Sequence, residues 1–322
     1  MKRFKKILVS IDANRFELPP PSLRKAVQLA RETGASLLIV DVVRGLPDYV
    51  RRMIDPKAIT EESVIEERLA GLKKLCAGFE EITHTIKVTC GSPVVDLVNL
   101  VVSEGCDLLL RDVADESNAT NFGPLDTRLM RHCPCPVWLV KPRETPKFER
   151  ILGAVDPLPE TEKDEQLNRK IVDLASSIAE WENGSLYVIA GWQVRGEQLL
   201  ASRMRTAAFE DHVDEIAWIA RRRLQDALFG CKHRPIESHI KLRVGNAAQV
   251  VRAYADEIDA DLVVMGTLAR TGIPGLLIGN TAQQLLQQLK CSVLTAKADS
   301  FIPPLAAGDE IMEQSTTAMA IL

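Results

Sequence analysis

The chain has 322 residues, 46% of them apolar, which suffices for two ordinary domains with real cores. Its net charge of −4 argues against a nucleic-acid binder or a protein held on an anionic membrane, both of which need a clustered basic surface. The sequence contains no run near the roughly 18 apolar residues of a membrane span, and MKRFKKILVSID passes straight into a strand without a cleavage-site pattern, so a cytoplasmic location is expected.

In chain order, Lys6 to Ile11 alternates as a strand and ends at Asp12; the consecutive prolines after it lack donors and predict a loop. Ser22 to Glu32 is a helix with Leu23, Ala26, Val27 and Ala30 inward, stopped by Gly34. Ser36 to Val43 is the second strand. A helix from Thr60 to Gly78 starts on a Thr60 cap, with Glu61 and Glu62 suited to the positive helix end. Thr85 to Thr89 is a strand, and Gly91-Ser92-Pro93 opens a helix that runs to Glu104, with proline where its missing N–H matters least. Asp107 to Arg111 and Pro136 to Val140 are strands four and five, separated by a loop and a helix around Thr127 to His132.

The same order then returns. Arg150 to Asp156 repeats the first strand and its terminal aspartate, a helix runs from Asp164 to Trp181, and Ser185 to Ala190 is strand two. Glu210 to Phe229 is a long helix whose Arg221-Arg222-Arg223 reads as a solvated face. Ser238 to Val244 is strand three, and Gly245-Asn246 opens a helix ending near Asp259. Gly91 against Gly245 and Asp107 against Asp261 stand 154 residues apart, while Asp12 against Asp156 stand 144 apart. The ten-residue difference is expected as extra sequence around Trp192 to Phe209. Alternating strands and helices predict parallel, doubly wound sheets. The proline-rich stretch Lys141 to Lys147 divides residues 1–142 from 148–298, and residues 299–322 read as a tail that is disordered or packs on a partner.

Asp261 to Lys297, DLVVMGTLARTGIPGLLIGNTAQQLLQQLKCSVLTAK, is the stretch around which the chain is organised. Leu262 to Met265 is a strand that breaks at Gly266 into a loop carrying Gly272, Gly275 and Gly279. Asn280 is expected to cap a helix with Ala282, Leu285, Leu286 and Leu289 inward, and Ser292 to Ala296 is the last strand. Glycines at such a turn let backbone approach a ligand, and helix N–H groups favour an anion such as phosphate. The plainer reading is a strand end packed into a tight turn.

Spacing decides between these readings. Gly266, two residues, Ala269, nine residues, then Gly279-Asn280 closely resembles the G-x2-G-x9-G-(S/T) motif of the universal stress protein family. Both halves, about 295 of the 322 residues, resemble universal stress protein domains fused in tandem, most like the bacterial E-type branch. The resemblance implies two Rossmann-like, adenine nucleotide alpha hydrolase-like domains, each a five-stranded parallel sheet flanked by helices. It also implies an intramolecular pseudo-dimer through Val137 to Val140 and Val293 to Ala296, with further dimerisation and protein partners open. By position it implies ATP, with Mg2+, held in the second half. Asp156 would meet the ribose or base side, Ile189 and Val244 would line the adenine, and Met265, Gly266, Gly279, Asn280 and Thr281 would surround the phosphates.

The sequence departs from the family pattern at several places. Ala269 replaces the second glycine and would be strained at a positive φ, and Asn280 replaces the usual hydroxyl residue, which Thr281 can supply. In the first half Asp112 and Asp115 stand where the glycines belong, followed by Glu116, and three carboxylates would repel a triphosphate unless a cation intervened. A solvated acidic loop is favoured there over a magnesium site.

The expected function is a non-enzymatic stress-adaptation protein that binds a small ligand and acts through partners. One alternative is the same fold with a lipid-like or metabolite ligand against Leu199, Leu200, Met204, Phe209, Ile216 and Trp218, residues that read more simply as core. Another is a weak ATPase; the sequence carries no SGGxDS, HIGH, KMSKS, GxxxxGK(S/T) or GxSxG pattern, and its five histidines fall on separate elements. Seven scattered cysteines predict buried thiols. The one close pair, Cys133-Pro134-Cys135-Pro136, lacks the partners of a zinc site and leaves a redox role open.

Overall fold

The computed structural model describes residues 4–45, 60–113, 122–142, 147–194, 202–203, 206–231, 233–267 and 279–298. The first half comprises β1 (Lys6–Ser10), α1 (Pro21–Thr33), β2 (Ser36–Arg44), α2 (Glu61–Cys76), β3 (His84–Gly91), α3 (Pro93–Glu104), β4 (Leu108–Asp112), α4 (Pro124–His132) and β5 (Val137–Val140). The second comprises β6 (Arg150–Val155), α5 (Glu162–Glu182), β7 (Ser185–Trp192), α6 (Thr206–Leu228), β8 (Ile240–Val244), α7 (Ala247–Glu257), β9 (Leu262–Gly266), α8 (Asn280–Leu286) and β10 (Ser292–Ala296).

Local chemistry sets many of these boundaries. Thr60 caps α2 in a reciprocal box with Ser63, and Thr161 caps α5 in the same way with Asp164, each side chain satisfying a backbone N–H that the helix leaves unpaired. α1 and α5 end on left-handed residues, Gly34 (φ 73°) and Asn183 (φ 51°), the conformation that returns N–H groups to the last helical carbonyls. Two expectations are corrected. The proline-bearing loop begins with a 3₁₀ turn, Ala13–Arg15, because Asp12 accepts from the Asn14 N–H. Gly279, not Asn280, is the cap of α8.

The strands form one sheet in the order β3-β2-β1-β4-β5-β10-β9-β6-β7-β8. All neighbours are parallel except β5 and β10, which pair antiparallel with Val293 opposite Leu139 and Thr295 opposite Val137. Each half supplies five parallel strands, and the two last strands join them. α1, α2, α5 and α6 bury their apolar stripes on one face, and α3, α4, α7 and α8 on the other.

The extra sequence of the second half does not lie only where expected. The starts of β1 and β6 are 144 apart, but those of β2 and β7 are already 149 apart, so half of the added residues precede β7. They lengthen the first helix, from 13 residues in α1 to 21 in α5.

The halves also meet off the sheet. Lys25 of α1 pairs with Glu182 of α5 at 2.6 Å, both buried, and the Glu182 carboxylate accepts as well from the Phe148 N–H at 3.2 Å. Phe4 packs against Trp181. The lysine after each last strand reaches across the seam: Lys141 Nζ donates to the Leu289 carbonyl at 2.7 Å and Lys297 Nζ to the Arg131 carbonyl at 3.1 Å.

Candidate functional site at the strand ends of the second half

β6 has β7 on one side and β9 on the other, so successive connections leave it in opposite directions. Beyond the carboxyl ends of β6 and β9 lies the topological switch point, where open parallel sheets leave a crevice for ligands. Asp156 follows β6 there, and Gly266-Thr267 end β9 there.

Asp156 is partly exposed, and its Oδ1 accepts from the Leu158 N–H at 3.0 Å, closing the first turn of the following loop. Its backbone is fixed by Asn168 of α5, which accepts from the Asp156 N–H at 2.9 Å and donates to its carbonyl at 2.6 Å. Asp156 is thus both a strand terminus at the crevice and the cap of a loop.

Gly266 is glycine for a packing reason. A Cβ there would lie 2.8 Å from Leu167 Cδ2 and 3.6 Å from Ile171 Cδ1, so the added first turns of α5 occupy the space a side chain would need. Its φ is not among the positive values. Thr267 is 2% exposed, and its Oγ1 has no hydrogen-bond partner among the described residues, a costly state for a buried hydroxyl. The Gly279 N–H donates to the Thr267 carbonyl at 3.1 Å, which ties together the two ends of the glycine-containing segment. Thr267 went unselected in the sequence because a threonine after a strand carries no mark of burial; the repeat supplies one, since its counterpart 154 residues earlier is Val113.

The other expected positions divide. Thr281 is exposed in the first turn of α8, and Asn280 is that helix's first residue. Ala269 lies outside the described residues, as do Asp115 and Glu116. Met265 is buried on the face covered by α7 and α8. Ile189 and Val244, expected around an adenine, lie on β7 and β8. Ile189 is fully buried on the same face, and β7 runs on through Ala190, Gly191 and Trp192, so position 189 is three residues short of the strand end. Val244 is 71% exposed on β8, the outermost strand, two strands away from β6. Among the residues considered for an apolar cleft, Ile216 packs on the small cluster of Trp192, Val194 and Ala220, while Trp218 faces solvent under Arg222.

The equivalent place in the first half is filled by charged side chains. Asp112, in the position of Gly266, is buried and accepts from Ser22 at the start of α1, from its N–H at 2.9 Å and from its hydroxyl. Burial raises the Asp112 carboxyl above its ordinary value, against the lowering effect of the Ser22 hydrogen bonds. The expected solvated acidic loop is corrected at this residue, because the missing turns at the start of α1 leave its first N–H groups open to a carboxylate. Arg68 of α2 reaches both Asp12 and the buried Asp41, at 3.2 Å from the latter, and Asp41 accepts from the Ala13 N–H at 2.9 Å. Where β2 carries Asp41, β7 carries Ala190, at the 149-residue offset. The first half therefore satisfies its polar groups there internally, whereas the matching positions of the second half hold Asp156, Ala190, Gly266 and Thr267, the Thr267 hydroxyl having no partner among the described residues.

Among the described residues no helix is long and apolar enough to cross a membrane, and no cluster of three or more His, Cys, Asp or Glu residues could hold a metal ion. Residues 3–141 and 147–297 each match the universal stress protein family. Universal stress protein E of Escherichia coli K12 is 27% identical over 320 residues, covering 96% of this chain and 99% of that protein. A universal stress protein E homolog of Haemophilus influenzae is 30% identical over 309 residues, 92% of this chain and 98% of the relative. A crystal structure from Pseudomonas aeruginosa PAO1, of a protein described as functionally unknown, superposes with a TM-score of 0.70 at 23% identity, over 95% of this chain and 96% of that one. Two family domains in one chain, joined through their last strands, place the protein in the universal stress protein family, in its tandem E-type branch.

Proposed function

We propose that this chain is a non-enzymatic, cytoplasmic stress-adaptation protein whose second domain, residues 148–298, binds a nucleotide of the ATP type with Mg2+ and signals its occupancy to protein partners. Membership of the stress protein family supports the adaptation role. The observation that carries the ligand reading is the buried Thr267 hydroxyl without a described partner, at the switch point and at the mouth of the glycine segment. A phosphate oxygen is the acceptor such a donor lacks, and hydrogen bonds to charged groups contribute about 1.5–3 kcal/mol. Asp156, Gly279 and Thr281 border the same strand ends and are the further contacts we assign. The first domain, residues 1–142, has a structural role in this reading, because Ser22 already occupies Asp112 and Arg68 already occupies Asp41.

Calorimetric titration of the full chain with ATP and Mg2+ tests the proposal. Binding to the parent, weakened about tenfold or more in Thr267→Val, is expected. Absence of binding at millimolar ATP, or binding that Thr267→Val leaves unchanged, would sink it. Phosphate release no faster than in a buffer control is the outcome expected of a binder; release that scales with protein concentration would establish an ATPase instead.

A further inference from the structure

The short connection from α4 to β5 reads Cys133-Pro134-Cys135-Pro136, and the chain bends at Pro134 and Cys135. The bend brings the two sulfurs to 3.4 Å, with Cys133 fully buried and Cys135 7% exposed. Continuing the antiparallel register beyond Thr295 and Val137 sets Lys297 opposite Cys135, and the buried Lys297 donates to the Arg131 carbonyl at the end of α4. A thiol pair, a lysine and the last turn of a helix thus meet at the seam between the halves. The second half does not repeat the pair: at the 156-residue offset that matches Lys141 with Lys297, positions 289 and 291 are Leu and Cys.

We propose that Cys133 and Cys135 are a peroxide-responsive dithiol that closes to an intramolecular disulfide at this seam. Both sulfurs are buried, so the oxidant in this proposal is a small hydroperoxide rather than a bulky disulfide or a protein thiol. In the first step the Cys133 thiolate attacks a peroxide oxygen; the S–O bond forms, the O–O bond breaks, and the leaving oxygen takes a proton from the Lys297 ammonium. The Cys135 sulfur then attacks the sulfenic sulfur; the S–S bond forms, the S–O bond breaks, and hydroxide leaves as water with the Cys135 proton. In sum two thiols lose two electrons and two protons, and the hydroperoxide becomes an alcohol, or water, and water.

The order of attack is part of the proposal, with Cys133 taken as the first thiolate because the Lys297 charge and the Cys135 hydrogen bonds both favour its ionised form. Burial raises the Cys133 thiol, but the hydrogen bonds from Cys135 and the Lys297 charge outweigh it and leave Cys133 below its ordinary value, while its neighbour pushes Cys135 up. Burial lowers Lys297 to about 8, against the raising effect of the two sulfurs, which suits it to give up a proton near neutrality. Closure draws the sulfurs from 3.4 Å to about 2.05 Å. That movement acts on the Arg131 carbonyl and the start of β5, and so on the lysine contact that joins the halves.

The test is peptide mapping of the full chain, reduced, desalted and treated with hydrogen peroxide, digested and analysed without reductant. A loss of two hydrogens confined to the peptide holding both cysteines, reversed by dithiothreitol, is expected. In Cys135→Ser the reaction should stop at a sulfenic acid that dimedone captures on Cys133, and Cys133→Ser should give neither product. The proposal is overturned if peroxide that oxidises added glutathione in the same tube leaves the parent peptide unchanged, if the disulfide maps to Cys106, or if Cys133→Ser reacts like the parent. Should either variant fail to fold by circular dichroism, the parent map alone decides.

Discussion

At the end of β4 the first half places Asp112 and Val113; at the end of β9 the second half places Gly266 and Thr267. The strands are equivalent, and the difference originates in the helix that packs over each. α1 is short, so its first N–H groups lie open and Asp112 satisfies them. α5 begins two turns earlier, covers the strand end with Leu167, and leaves no room for a side chain at 266. One half thus closes its crevice with a carboxylate and an apolar residue, and the other keeps a bare backbone and a buried hydroxyl. Exchanging residues between the halves tests whether this contrast holds physically.

Gly266→Asp, which writes the first half's residue into the second, should have the largest effect. It sets an ionised group against Leu167 and Ile171 with no equivalent of the Ser22 donors. A loss of about 3 kcal/mol in urea unfolding is expected, from overpacking together with an uncompensated charge. Combining Gly266→Ala with Leu167→Ala should cost less than the sum of the single changes, because the second removes the atom the first collides with. Strict additivity would mean that Leu167 is not what excludes a side chain at this position.

The converse change is smaller. Asp112→Gly leaves the Ser22 N–H and hydroxyl without their acceptor, and losing a helix-terminal acceptor costs about 1–2 kcal/mol. Asp112→Asn isolates the charge. Because burial raises the folded carboxyl above 3.8, the native state holds this proton more tightly than the unfolded chain does. The parent should therefore lose stability as pH rises from 3.8 through the raised value. The difference in stability between Asp112→Asn and parent should grow in favour of the variant over that window; a difference independent of pH would place the carboxyl in water.

Sequence patterns reveal the framework because periodicity and turn chemistry are local: Thr60, Gly34, Asn183 and Pro93 act through neighbours a few residues away. The joining of β5 to β10 was legible only through the family resemblance. The site was half legible. Asp156 and Gly266 could be found by counting along the repeat, but what fills the space above a strand end depends on a helix some 100 residues earlier in the chain, as with Leu167 over Gly266 and Ser22 beside Asp112. How far β7 runs beyond Ile189 was not legible, because the strand continues to Trp192 even though Gly191 lies within it. Thr267 and Val113 differ by one polar atom, and only burial shows that the difference matters.

Thr267→Val completes the conversion of the second half toward the first. Removing a buried hydroxyl with no described partner should leave folding stability unchanged or raise it by up to about 1 kcal/mol, while nucleotide binding falls. Stability and affinity moving in opposite directions is what a group held ready for a ligand would show. A stability loss above about 1 kcal/mol would instead mean that the hydroxyl already has a structural partner.

The smallest effect belongs to a residue that distinguishes the halves away from the crevice. His132 ends α4 with a buried Nδ1 that has no hydrogen-bond partner among the described residues; its counterpart at the 156-residue offset is the exposed Gln288. Burial first, and then the Arg131, Lys297 and Arg128 charges, lower the imidazole from 6.5 to about 4. Between those values the unfolded chain binds a proton that the native state refuses, so the parent should lose stability as pH falls from 6.5 toward 4 and keep it above 6.5. His132→Gln gives the first half the residue of the second and should flatten that part of the acid limb without altering stability at pH 8. A proton titration followed by the His132 ring resonances checks the cause directly: a midpoint near 6.5 would show the ring to be solvated, and the acid sensitivity of the seam would then have to arise from its carboxylates.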